Sequence, residues 1–107
     1  MKKLLLASAV SALAAGGAFA EDINIGILLG FTGPIESITP FMADGAEMAM
    51  SEVNAGGGIL AGTMVHGIRA DSACIDSAVA QASAERLVTS DNVVAIMGAD
   101  CSGVTRA

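Results

Sequence analysis

Two segments of this 107-residue chain hold the residue types that could do chemistry. Gly98-Ala99-Asp100-Cys101-Ser102-Gly103 sets a carboxylate, a thiol and a hydroxyl side by side between glycines. Gly30-Phe31-Thr32-Gly33-Pro34 sets a ring and a hydroxyl in a second glycine-rich turn. Glycine at both lets backbone come close to a ligand. The first segment nearly copies a phosphate-binding loop: Gly98, four residues, Gly103, then Val104-Thr105. That loop requires Gly-Lys-Ser/Thr at its end. Val104 replaces the lysine and Asp100 adds a negative charge, so nucleotide binding is rejected.

Ser102 as a nucleophile needs a base. His66 is the only histidine, it falls in a strand that points elsewhere, and Gly-x-Ser-x-Gly is absent. An exported serine hydrolase would need a His and an Asp further along the chain. No second His or nearby Cys pair supports a metal site at His66, which reads as a half-exposed strand residue. No cofactor is implied. Cys74 and Cys101 do not form Cys-x-x-Cys, so a thioredoxin-like role lacks its motif. They fall just past the second and third strands on one side of a sheet, where a bridge is geometrically reasonable. It would close a loop of about 28 residues, worth roughly 3–4 kcal/mol in the chain-entropy model. Two buried free thiols are the alternative, and thiol titration of the denatured, unreduced protein separates the two.

The elements that position these residues alternate. Ile23 to Gly30 is a nearly continuous apolar run, as expected for a strand covered on both faces. A helix starts at Pro40 with Thr39 as N-cap, and Met42, Ala46, Ala49 and Val53 share its inner face. Met48 and Met50 fill core gaps there. Asn54-Ala55-Gly56-Gly57-Gly58 ends it. A second strand, Met64 to Ala70, carries His66 and Arg69 and suits a sheet edge. Asp76 or Ser77 caps a second helix through Thr89, with Ala80, Ala84, Leu87 and Val88 inward. Val93 to Ala99 is a third strand, and Ser102-Gly103-Val104-Thr105 opens a third helix.

This order predicts an α/β fold: a parallel βαβαβ start, doubly wound and Rossmann-like. It leaves an apolar face and a strand edge uncovered, which predicts a truncated chain. Ligands of such sheets bind beyond the carboxyl ends of the strands, where the winding reverses. With the first strand central, the two glycine-rich turns bound that crevice. The second turn opens a helix whose N–H groups favour a carboxylate. Ser102 could equally be an ordinary helix cap, and spacing leaves both readings open.

The chain begins Met1-Lys2-Lys3, continues through an apolar run of about a dozen residues, and reaches Ala18-Phe19-Ala20 before Glu21. This predicts a signal peptide over residues 1–20, cleaved between Ala20 and Glu21. The run is too short to span a bilayer, and no cysteine at the cleavage site offers a lipid anchor. Cleavage would remove both lysines and leave 87 residues with three arginines against eleven acids, a formal charge of −8. That balance opposes binding to nucleic acid or a membrane surface.

Taken in order, these residues resemble the substrate-binding proteins of branched-chain amino-acid ABC transporters, the leucine/isoleucine/valine-binding family. The matching segments are Thr32-Gly33-Pro34, Gly45-Ala46-Glu47, Val53-Asn54-Ala55-Gly56-Gly57-Gly58-Ile59, Asp71 to Asp76, and Gly98 to Thr105. The resemblance implies a type I periplasmic binding protein, with residues 21–107 the N-terminal part of the first of two lobes. It implies a periplasmic, monomeric carrier that hands a small solute to a membrane permease and catalyses nothing. It assigns Ser102 to the solute carboxylate and Cys74–Cys101 to the family disulfide. Phe31, Thr32, Ile38 and Asp100 complete the candidate ligand-binding set. Where leucine-binding members carry an aromatic residue after Gly33-Pro34, this chain has Ile35-Glu36-Ser37-Ile38, a changed wall. The implied solute is an amino acid, amide, urea or aromatic acid. A sensor's ligand-binding domain shares the fold and is the alternative of a different class.

Overall fold

The computed structural model describes residues 21–60 and 62–107, so the expected leader and its cleavage site lie outside it. The elements are β1 (Ile23–Leu29), α1 (Thr39–Ala55), β2 (Val65–Asp71), α2 (Ser77–Thr89), β3 (Val93–Gly98) and α3 (Ser102–Thr105). The strands form a parallel sheet of order β2-β1-β3, so β1 is central and the winding reverses between β1 and β3. Among the described residues no helix is long and apolar enough to cross a membrane.

Alternation along β1 divides the core. Ile27 and Leu29 face α1 and pack with Ala43, while Leu28 packs with Ala70 and Leu87 on the α2 side. Both faces of β1 are therefore covered, in keeping with a sequence that is apolar except at Asn24. Gly26 makes room for Leu87: a Cβ at Gly26 would lie 2.8 Å from Leu87 Cδ1.

Three local expectations are corrected. Thr39 is not the N-cap of α1. Ile38 holds that position without a side-chain bond, and the fully buried Thr39 hydroxyl donates to the Gly30 carbonyl at 2.9 Å. A buried hydroxyl and a carbonyl at a strand end each need a partner, and here they satisfy one another. The inner face of α1 is Thr39, Ala43, Ala46 and Met50, whereas Met42, Met48, Ala49 and Val53 are exposed. The small Ala43 and Ala46 let the helix settle close to the sheet. In α2, Val88 also turns outward, because Leu87 takes the position over Gly26. Asp76 caps α2 as expected, accepting the Ala78 and Val79 N–H groups at 3.0 and 3.2 Å.

Candidate ligand-binding site

The carboxyl ends of the strands carry the turns in which the candidate residues lie, and polar side chains tie those turns together. Asp71, the last residue of β2, accepts the Thr32 hydroxyl at 2.6 Å and the Thr32 N–H at 3.2 Å. Asp71 also accepts the Ala73 N–H at 2.9 Å. Partial burial works to raise the Asp71 pKa, but the hydrogen bonds from the Thr32 hydroxyl and the Ala73, Thr32 and Phe31 N–H groups outweigh it. The carboxyl is held below the usual range. Gly33 adopts φ +94°, and a Cβ there would come within 3.0 Å of the Ala73 carbonyl oxygen. Glycine is what allows these two turns to touch.

The third turn is fixed twice. Asp100 Oδ2 accepts the Gly30 N–H at 2.8 Å and Oδ1 accepts the buried Ser72 hydroxyl at 3.4 Å. Cys74 and Cys101 form a disulfide with Cα atoms 5.2 Å apart. Gly98 packs so tightly on β1 that a Cβ would meet the Leu28 carbonyl oxygen at 2.0 Å.

The structure therefore separates the candidate residues by what their polar or apolar groups already do. Asp100 faces inward to Gly30 and Ser72, and the Thr32 hydroxyl is taken by Asp71. Phe31 packs against the Ile27, Leu29 and Ala43 cluster, with the Arg69 guanidinium 5.7 Å from its ring centroid. Ile38 stays exposed at the start of α1. Ser102 is also exposed, and as the first residue of α3 it is not the cap, a position held by Cys101. His66 pairs with Asp22 at 3.2 Å and lies opposite Asn24 in the sheet, at the far end of the strands from Ser102. One surface hollow, of about 320 Å³, lies against the β3–α3 segment and α2 and is lined by Leu28, Ala84, Gly98, Ala99, Val104 and Thr105. Another, of about 440 Å³, lined by Ile25, Met50, Val53 and Met97, sits on the α1 face.

Sequence reading missed Asp71, Ser72 and Arg69 as supports of the site. Arg69 bonds Glu47 through two nitrogens at 2.6 and 2.8 Å and Asp44 at 2.6 Å. The Glu47 bond, then the Asp44 bond, raises the arginine pKa further, and the same contact lowers that of Glu47. The readable signal was an arginine in an edge strand and two acids three apart on the preceding helix.

A parallel sheet of order 2-1-3 with helices on opposite faces defines an open, doubly wound α/β lobe, a class of fold whose ligands sit beyond the carboxyl ends of the strands. The periplasmic binding protein family model matches residues 22–107, and the chain belongs to that family. It is 39% identical over 104 residues to Leu/Ile/Val-binding protein homolog 7 of Brucella abortus (strain 2308), covering 96% of this chain and 25% of that protein. It is 33% identical to the leucine-specific-binding protein of Salmonella typhimurium, over 97% of this chain and 27% of that one. Among solved structures it is similar to the branched-chain amino acid transporter substrate binding protein LivJ of Streptococcus pneumoniae in complex with isoleucine. The TM-score is 0.70 at 30% identity, over 78% of this chain and 24% of that chain. The fold is that of type I periplasmic binding proteins, and the chain spans about a quarter of the length of these relatives.

Proposed function

We propose that residues 21–107 open the first lobe of a periplasmic receptor for a small carboxylate-bearing solute, delivered to an ABC-transporter permease. Branched-chain amino acids are the first candidates, as the names of the relatives indicate. The observation that carries the reading is Ser102: an exposed hydroxyl at the switch point between β1 and β3, on a turn clamped by Asp100 and the disulfide. A hydroxyl so placed donates to a carboxylate without first giving up a protein partner. Thr32 and Ile38 would form the facing wall, with Phe31 behind them. In this reading binding is the whole activity, in keeping with the binding proteins named among the relatives.

The test is isothermal titration of the full-length protein with leucine, isoleucine, valine, aliphatic amides and aromatic acids. Ser102→Ala is expected to weaken binding about tenfold, the equivalent of one lost hydrogen bond of ~1.4 kcal/mol. A protein that binds none of these solutes, or a Ser102→Ala variant that binds as well as wild type, would overturn the reading.

A further inference from the structure

Gly30 lies one residue past the last β1–β2 pair and two past the last β1–β3 pair. It is buried, so its N–H needs an acceptor that the sheet no longer supplies. Asp100 Oδ2 is that acceptor, at 2.8 Å. The other oxygen takes the hydroxyl of the fully buried Ser72. Ser72 in turn donates its N–H to the Leu29 carbonyl at 2.8 Å and accepts the Cys74 N–H at 3.4 Å. One carboxylate thus joins the ends of all three strands, two residues before Ser102.

Its direction matters as much as its contacts. A carboxylate aimed into the crevice would repel a carboxylate-bearing solute at Ser102. Turned inward, the charge is met by two donors and the solute side is left to the hydroxyl. We propose that Asp100 is a positioning residue: it does not touch the solute, but holds the β3–α3 turn so that Ser102 is in place before the solute arrives. A group fixed beforehand loses less freedom on binding, and affinity rises accordingly. This rests on Ser102 as the carboxylate's partner.

The experiment measures leucine and leucinamide binding to the full-length protein by titration calorimetry, well below the melting temperature. The ratio of the two affinities reports on the carboxylate alone. Asp100→Ala is expected to weaken leucine about tenfold while leaving leucinamide nearly unchanged, so the ratio falls by the same factor. Asp100→Asn keeps an acceptor for Gly30 and can pair with Ser72, and should stay within about threefold of wild type. An Asp100→Ala protein with a lower melting temperature but an unchanged ratio overturns the proposal, as does one in which both solutes weaken equally. Should Asp100→Ala fail to fold, Ser72→Ala decides: a smaller fall in the ratio supports the proposal and an unchanged ratio defeats it. A wild type that does not prefer leucine over leucinamide instead refutes the Ser102 reading, and this inference with it.

Discussion

The central strand has two unlike flanks. Toward β2 it pairs without interruption from Ile23 to Leu29, and both helices pack on that neighbour. Val65 and Ala70 of β2 are buried, and Arg69 is held by two acids of α1. Toward β3 the register shifts between Asn24 and Ile25, and no β3 residue is buried. Val94 is 65% exposed, and α1 does not reach across to cover Met97. Yet the switch point, and Ser102 with it, lies on the β3 side. The difference teaches that the candidate site stands on the less consolidated flank, as ligand-binding segments often do. That flank is held at its tip, by the Cys74–Cys101 bond and by Asp100, rather than along its length.

Removing the tip fastening should therefore have the largest effect. Replacing both cysteines, Cys74→Ser with Cys101→Ser, is expected to cost about 3–4 kcal/mol in urea unfolding. Hydrogen exchange should show the loss falling first on β3 and α3, with β2 protected longer. Equal loss of protection on both flanks would erase the comparison. The reverse test belongs to β2. Asn54 donates to the Val65 carbonyl at 2.8 Å and accepts the Val65 N–H at 2.9 Å, so its amide acts as a neighbouring peptide for the first residue of the strand. Asn54→Ala would leave both groups of buried Val65 unpaired and should cost about 2 kcal/mol. The solute affinity of the folded protein should be untouched, because this loss is at the opposite end of the other flank. A changed affinity would show that the flanks are coupled.

These flanks were partly legible in the sequence. The nearly continuous apolar run of β1 marked a strand covered on both faces, His66 and Arg69 suited β2 to an edge, and the two cysteines fell where the structure joins them. What resisted reading were side chains whose partners are set by register. Asp100 in a turn reads the same whether it faces water, a solute or a strand-end N–H. Only the pairing of β1 with both neighbours shows that the Gly30 N–H needs it. Thr39 beside Pro40 looks like a helix cap until the end of β1 presents a buried carbonyl to its hydroxyl. Asn54 belonged to a recognisable motif, but its bond to Val65 spans a loop that local pattern cannot close.

The smallest expected effect lies where the strong flank supports the site. Asp71 ends β2 and holds Thr32 of the β1–α1 turn through its hydroxyl and N–H. The folded pKa of Asp71 is below the value near 3.9 of an unfolded aspartate, for the reasons of hydrogen bonding given above. As the pH falls, the unfolded chain takes up this proton first, so the contribution to stability is complete above the unfolded pKa. It is lost as the pH drops through the folded one. Thr32→Val removes the shortest of these bonds from an exposed contact. The variant should be slightly less stable than wild type near neutral pH, and the difference should shrink below about pH 4 as Asp71 protonates in both. Urea midpoints measured across that range, beside the NMR titration of the Asp71 carboxyl, check it. A stability difference that stays constant with pH would mean that Thr32 acts through packing, and that the β2 flank does not hold the crevice wall through this carboxylate.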